Sequence, residues 1–245
     1  MENYNQNQFS DYTVVGSSVR PASKTFMASV FVWMFVALGV SAFFAFIFAS
    51  NLSLLSLLIT ETGLSGLGWL VILAPVGFVM LMSFGFQKLS SPAMTLLFIL
   101  YSAINGISLS FILLAYTSGS VIGCFATASA MFGIMAIMGY TTDKDLTSFG
   151  QLLTMGLIGL VVAMFINFFL GSTMMDYIIS IIGVAVFTGL TAYDVQTLKR
   201  IGAGVEYEGV GTDNTKKLAV MGALRLYLDF INLFIMLLRL FGRRK

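Results

Sequence analysis

Seven long apolar runs constrain this chain more than any other feature of its sequence. Each is about as long as the roughly 20 apolar residues that a helix needs to cross the hydrocarbon core of a bilayer. Hydrophobic residues make up 58% of the 245 residues and charged residues only 10%, which is more apolar surface than one soluble core of this size buries. We therefore predict an all-α polytopic membrane protein with seven transmembrane helices, over Phe26 to Ala49, Trp69 to Phe86, Ala93 to Tyr116, Ser120 to Tyr140, Gln151 to Leu170, Tyr177 to Tyr193 and Leu218 to Phe241.

The composition also excludes several classes of function. The chain has no His, which excludes an imidazole base, a His metal ligand and a Ser-His triad. Its single cysteine, Cys124, allows no internal disulfide. The net charge of +2 is too small to indicate a nucleic-acid partner. We expect a protein that is not an enzyme, that holds no resident cofactor and that has the lipid bilayer as its surroundings.

The segments between the apolar runs are too short to fold alone, so the sequence indicates one domain. We predict a polar N-terminal tail over residues 1–24, a transmembrane domain over residues 25–242 and a basic C-terminal tail over residues 243–245. The longest polar loop is expected from Lys199 to Lys217. Glycines recur inside the spans and favour close helix packing in lipid, as the pairs Gly133 and Gly139, Gly156 and Gly159, and Gly183 and Gly189.

The distribution of lysine and arginine predicts the orientation. Loops rich in these residues stay on the cytoplasmic side of a membrane. With the N-terminus in the cytoplasm, the outer loops carry no Lys or Arg, and their only charges are Glu61 and Asp176. Seven full spans place the basic C-terminal tail outside, and the alternative is a seventh run that re-enters and returns. With a cytoplasmic N-terminus, the basic residues on the inner side are Arg20, Lys24, Lys88, Lys144, Lys199, Arg200, Lys216 and Lys217.

Charges inside a span are costly, so each is a candidate functional residue. We interpret Arg239 as a residue that snorkels to the interface and Asp176 as a solvated acid at the edge of a span. Three charges remain: Asp194 on the sixth run, Asp229 on the seventh, and Arg225, which precedes Asp229 by four residues and shares its helix face.

The depths of the two aspartates are similar. Asp194 lies five residues before Lys199, and Asp229 lies 12 residues before Phe241. At about 1.5 Å per residue these spacings put both in the cytoplasmic half of the bilayer, on neighbouring antiparallel helices. Two buried carboxyl groups that meet do not both ionise easily, so they would share a proton and form a proton-operated latch. The alternative is that Asp229 pairs only with Arg225, while Asp194 caps a helix end near Lys199 and Arg200.

Three motifs resemble one known family: Gly139-Tyr140-Thr141-Thr142-Asp143-Lys144-Asp145-Leu146, Gly189-Leu190-Thr191-Ala192-Tyr193-Asp194-Val195-Gln196 and Gly222-Ala223-Leu224-Arg225-Leu226-Tyr227-Leu228-Asp229-Phe230-Ile231-Asn232-Leu233-Phe234. The chain resembles the Bax inhibitor family, in its bacterial inner-membrane branch, over roughly residues 25–242. The resemblance implies seven helices with the last one surrounded by the other six. It also implies a pH-sensitive calcium leak gated by an aspartate pair at the positions of Asp194 and Asp229. The family's arginine on the second helix has no counterpart here, and Arg225 is the candidate substitute.

Two functions remain open at this stage. The first is a calcium leak with Ca²⁺ and protons as its ligands and a candidate Ca²⁺ position near Asp194 and Asp229, because hard cations need oxygen ligands. The second is an interaction protein that modulates a membrane protease or membrane-protein quality control through its N-terminal tail. An intramembrane aspartyl protease is disfavoured, since its second acid requires a G-x-G-D setting that Asp229 lacks.

Overall fold

The computed structural model describes residues 20–61, 63–207 and 210–245. A short antiparallel hairpin of β1 (Ile59–Thr60) and β2 (Gly63–Leu64) precedes the second long helix. The helices are α1 (Arg20–Ser50), α2 (Leu52–Leu55), α3 (Gly66–Gly85), α4 (Ser91–Ala115), α5 (Ser118–Thr141), α6 (Thr147–Leu170), α7 (Thr173–Tyr207) and α8 (Thr212–Phe241).

Seven of the described helices, α1 and α3 to α8, are long and apolar enough to cross a membrane. The shortest of them, α3, has 20 residues, and a helix of that length is about 30 Å long, which is the thickness of the hydrocarbon core. The prediction of an all-α polytopic membrane protein with seven spans is confirmed. Helix α1 begins at Arg20, inside the segment predicted as a polar tail, and residues 1–19 of that tail lie outside the described residues.

The last helix lies at the centre of the bundle, as predicted. In the most apolar window of α8, 72% of the residues are buried, against 61% for α7 and at most 28% for the other five spans. Helices α1, α4, α5 and α7 pack directly on α8, whereas α3 packs chiefly on α4, and α6 on α7. Because α8 carries Asp229, its inner position keeps this buried acid away from the lipid chains.

The predicted polar loop from Lys199 to Lys217 is wrong for most of its length. Helix α7 continues to Tyr207 and α8 begins at Thr212. The loop was predicted where the apolar run ends, but a helix keeps its hydrogen bonds after it leaves the lipid. This part of α7 packs on α5 and on the α5–α6 loop: the Lys199 ammonium donates to the Tyr140 carbonyl of α5 at 2.7 Å, and the Gln196 amide donates to the Lys144 carbonyl of the loop at 2.7 Å.

The C-terminal residues pair with the loop between α4 and α5. The backbone N–H of Thr117 donates to the Arg243 carbonyl at 3.0 Å, and that of Lys245 donates to the Ala115 carbonyl at 3.0 Å. Helix α8 is continuous to Phe241, which contradicts the alternative of a re-entrant seventh run. Seven spans place the start of α1 and the end of α8 at opposite ends of the bundle.

Only some of the recurring glycines make the close contacts expected of them. A Cβ at Gly139 would overlap the backbone of Ala192 on α7, and one at Gly183 or Gly189 would press on a neighbouring side chain. By contrast, a Cβ at Gly133 or Gly159 would meet nothing within 4 Å. Gly106 of α4, which the glycine pattern did not single out, lies directly against the backbone of Ser41 on α1. These contacts fix how closely α5 approaches α7 and α4 approaches α1.

Candidate functional site

The site is built on α7 and α8, which are joined by a short link and pack along each other. Asp194 lies in the interior of α7, well before its end at Tyr207, so it does not cap a helix end. Asp229 lies on the part of α8 that is buried in the bundle. Both residues are buried, with relative exposures of 2% for Asp194 and 5% for Asp229.

The two carboxyl groups lie within hydrogen-bonding reach of each other. Asp194 Oδ1 and Asp229 Oδ2 are buried oxygens that receive no hydrogen bond from any described N–H or O–H donor. An ionised carboxylate only accepts hydrogen bonds, whereas a protonated one donates one. A single proton on the pair would supply the donor that these buried carboxyl groups lack.

Arg225 contacts Asp194 rather than the aspartate on its own helix. Its Nε donates to Asp194 Oδ2 in an ion pair that joins α8 to α7. Its guanidinium also lies 5.7 Å from the centre of the Tyr193 ring. The Arg225 side chain as a whole is 44% exposed, while the Asp194 side chain is almost fully buried. The alternative in which Asp229 pairs only with Arg225 is therefore wrong, because the long Arg225 side chain reaches across the helix interface to Asp194.

The charges of this triad balance only when one proton is present. Arg225 contributes one positive charge and an ionised Asp194 one negative charge, so a protonated Asp229 leaves the triad neutral. Loss of that proton leaves one uncompensated negative charge in a buried place, and such a charge is costly unless a cation or water reaches it.

Lys199 and Arg200 do not take part in this site. Arg200 forms an ion pair with Asp145 of the α5–α6 loop at 2.8 Å. Hydrogen bonds from the Thr147 hydroxyl and from the Arg200 guanidinium, together with the Thr147 backbone N–H, lower the pKa of the exposed Asp145 to about 2. This end of α7 is therefore attached to the α5–α6 loop by groups that stay charged throughout the physiological range.

Asp176 and Arg239 form a second ion pair between α7 and α8. Their atoms Asp176 Oδ1 and Arg239 Nη1 are 3.1 Å apart, and each side chain is about one third exposed. Asp176 is not merely solvated, because it lies in the first turn of α7 and pairs with Arg239. The interpretation of Arg239 as a snorkelling residue stays a prediction. The pair lines a cavity of about 400 Å³ at the end of the bundle opposite the aspartate pair, together with Asn167 and Arg244.

A buried polar network on another face of α8 was also missed. The Tyr227 hydroxyl lies 2.7 Å from Ser41 Oγ and accepts from the Asn105 amide at 2.7 Å, and Ser41 Oγ donates to the Ser102 carbonyl at 2.7 Å. Since Ser41 has one hydroxyl proton, Tyr227 is the donor in their shared bond. The network ties α8 to α1 and α4, and no spacing rule in the sequence points to it.

No group of three or more His, Cys, Asp or Glu side chains in the described part of the chain is arranged to hold a metal ion. The aspartate pair supplies carboxylate oxygens without the complete set of ligands that a tight Ca²⁺ site needs.

One protein family and several bacterial proteins match this chain over most of its length. The family described as Inhibitor of apoptosis-promoting Bax1 matches residues 23–245. The inner membrane protein YbhL of Escherichia coli (strain K12) is 45% identical over 227 residues, which cover 92% of this chain and 94% of the relative. An uncharacterized protein of Borreliella burgdorferi is 40% identical over 90% of this chain and 92% of its own length, and an uncharacterized membrane protein of Streptococcus pyogenes serotype M6 is 38% identical over 89% and 92%. Matches of this extent show that the chain belongs to the Bax inhibitor family.

Proposed function

We propose that this protein is a pH-sensitive calcium leak of the bacterial inner membrane, gated by the proton that Asp194 and Asp229 share. The printed name of the Escherichia coli relative supports the location, and the excess of Lys and Arg on one side supports a cytoplasmic N-terminus. The observation that carries the proposal is the contact between two buried carboxyl groups on neighbouring spans, one of them paired with Arg225.

In the closed state the proton resides on Asp229. Arg225 donates to Asp194 and so favours its ionised form, and the carboxylic acid of Asp229 then donates to Asp194. The bond joins α7 to the central helix α8 within the bilayer, where competition from water is weak. The neutral triad offers no net attraction for a cation.

Opening follows from loss of the proton. The hydrogen bond disappears, two carboxylates repel each other, and the triad carries one net negative charge. Repulsion favours separation of α7 from α8, and the exposed carboxylate oxygens attract a hard cation such as Ca²⁺. Calcium entry should therefore rise when the pH rises on the side of the membrane with which the aspartate pair exchanges its proton.

Calcium influx into proteoliposomes at a series of pH values between about 6 and 8 tests this mechanism. We expect influx through the parent protein to rise with pH, and Asp194→Asn to stay closed and lose the response. An amide at position 194 can donate to Asp229 through its nitrogen and accept from Arg225 through its oxygen, so no titrating proton is needed. Asp143→Asn, which removes an exposed loop acid, is the matched control and should keep the parental response.

A parental pH response in Asp194→Asn would show that the aspartate pair is not the gate. Parent protein that passes no calcium at any pH would reject the leak itself. The interaction-protein function would then be favoured, with contact to a membrane protease as the property to measure.

A further inference from the structure

A deep cleft opens between α1, α4 and α8 at the cation-rich end of the bundle. Its volume is about 970 Å³, and Val205 of α7 completes its wall. A cleft of this size lies at the upper end of the range for small-molecule sites, about 300–1,000 Å³. The cleft is separate from the aspartate pair, and neither Asp194, Arg225 nor Asp229 lines it.

The lining changes from polar to apolar in the same direction on all three helices. Helices α1, α4 and α8 are the first, third and seventh spans, so they begin at the same end of the bundle. Going inward from that end, the hydroxyl residues and Lys216 come first, interspersed with Phe26 and Pro92, and only apolar residues follow. The polar end holds Thr25, Ser29, Ser91, Thr95, Thr215 and Lys216, and the apolar part includes Trp33, Leu96 and Ile99.

The dimensions and chemistry match one phospholipid. Trp33 lies eight positions after Thr25 on helix α1, which is about 12 Å along the axis. That distance takes the cleft from the headgroup level to the upper part of the acyl chains. Trp33 is half-buried in the wall, and indole rings favour this boundary between polar and apolar surroundings.

The charge of the cleft selects the headgroup. Among the described residues that line the cleft, Lys216 is the one charged residue, and none of them is an Asp or Glu. The nearby Asp213 is already engaged, because it accepts from the Ser91 backbone N–H at 3.3 Å and lies 3.7 Å from the Lys217 ammonium. A single unopposed cation at the polar end favours an anionic group there.

Lys216 is also the main hydrogen-bond donor available to that group. The hydroxyl protons of Ser29 and Thr95 are donated to the carbonyls of Thr25 and Ser91 on their own helices. Basic pockets between spans on the cytoplasmic side of a membrane are suited to anionic lipid headgroups, and one nearby lysine contributes about fivefold in affinity. The hydroxyl residues make the cleft polar, while Lys216 supplies the specificity.

We infer that the α1–α4–α8 cleft binds one phospholipid with an anionic headgroup, with its phosphate at Lys216 and its acyl chains along Trp33, Leu96 and Ile99. The inference does not depend on the calcium leak, since it rests on residues outside the aspartate pair. The occupant is a lipid of the leaflet at the cation-rich end of the bundle.

The two tryptophans allow a direct test. Trp33 lines the cleft, whereas Trp69 lies on α3 and is 49% exposed. In a Trp69→Phe variant in phosphatidylcholine bilayers, brominated phosphatidylglycerol should quench Trp33 fluorescence at about a fivefold lower mole fraction than brominated phosphatidylcholine does. In the matched Trp33→Phe variant, Trp69 should be quenched equally by both lipids.

Substitution of the cation completes the test. Lys216→Gln in the Trp69→Phe background should abolish the preference for phosphatidylglycerol. Lys24→Gln, which removes a similar charge from a separate crevice between α1 and α5, should retain it. Equal quenching of Trp33 by both lipids, or a preference that survives Lys216→Gln, overturns the inference, and so does an equal loss in Lys24→Gln.

Absence of Trp33 quenching by either lipid also overturns the inference. Quenching that then appears after deletion of residues 2–19 would identify the chain's own N-terminal segment as the occupant.

Discussion

Asp229 and Asp194 differ in their partners, and the difference predicts how Asp229 variants behave. Asp194 has Arg225 as well as its carboxyl neighbour, whereas the neighbour of the Asp229 carboxyl group is Asp194. Asp229→Asn keeps a permanent donor to Asp194 and should hold the leak closed at every pH. Asp229→Ala removes the bond between α7 and α8, and should raise calcium influx several-fold at about pH 6, where the parent is closed.

Both variants delete the same carboxyl group, so a model based on charge alone expects the same effect from each. Calcium influx into proteoliposomes separates the two models. Similar influx through Asp229→Asn and Asp229→Ala would reject the latch, provided that both proteins remain monodisperse in detergent.

Asp145 gives a prediction outside the membrane. Because the Thr147 hydroxyl contributes most to its low pKa, Thr147→Val should raise the pKa of Asp145 toward the usual value of about 3.9. The group is depressed in the folded protein, so its stabilising contribution is present above about pH 4 and is lost as pH falls toward 2. A carboxyl-carbon NMR titration checks the shift. Thr141→Val should leave it unchanged, since that hydroxyl donates to the Ile137 carbonyl instead.

The site residues could be predicted from the sequence where an ionisable side chain inside a span was enough to identify them. Asp194 and Asp229 could be identified as candidate site residues because ionisable groups are rare inside spans. Neighbouring antiparallel helices also bring residues at the same depth of the bilayer close together. The partner of Arg225 could not be chosen. A spacing of four residues favours Asp229 on the same helix, and the actual contact with Asp194 depends on how far α8 lies from α7. The pairing of Asp176 with Arg239 depends on tertiary packing in the same way.

At the level of helices, apolar runs identified every span but not every end. Hydropathy reports where a helix meets lipid, whereas the end of a helix depends on its backbone hydrogen bonds and caps. Helix α7 therefore continues past Lys199 and Arg200 to Tyr207, because polar side chains are favourable once the helix has left the bilayer. The same limit explains why the predicted first span begins only at Phe26, whereas α1 begins at Arg20.

The contact between α5 and α7 yields a stability prediction with an internal control. A Cβ at Gly139 overlaps the Ala192 backbone, which no rotamer change relieves. Gly139→Ala should therefore destabilise the protein by about 1–3 kcal/mol, seen as a lower midpoint of thermal unfolding in detergent. Gly133→Ala lies on the same helix with open space around it and should be neutral or stabilising by up to about 1 kcal/mol. Equal midpoints for the two variants would contradict this account of the helix packing.

Across the whole molecule, the position of each helix follows its content of polar groups. The helix with Arg225, Tyr227 and Asp229 is the most buried, and α7 with Asp194 is the next. Helices α3 and α6, whose exposed residues include Trp69 and Phe168, lie at the outside. In a bilayer the cost of exposing a charge to lipid is larger than the gain from burying another apolar side chain. The resemblance to the Bax inhibitor family implied the central helix, and the charged residues of α8 give a physical reason for it, while the order of the outer helices required the structure.

The orientation of the whole molecule provides the last prediction. Seven spans place the two chain ends on opposite sides of the membrane, and the C-terminal residues pair with the α4–α5 loop. If the cation-rich loops are cytoplasmic, position 245 faces outward and position 144 faces the cytoplasm. Cys124 is the single cysteine of the chain, so Cys124→Ala provides a background without thiols for introduced cysteines. In intact cells a membrane-impermeant maleimide should label Lys245→Cys, but should label Lys144→Cys only after permeabilisation. The opposite pattern would mean an inverted protein, and labelling of both positions from the same side would be incompatible with α8 as a full span.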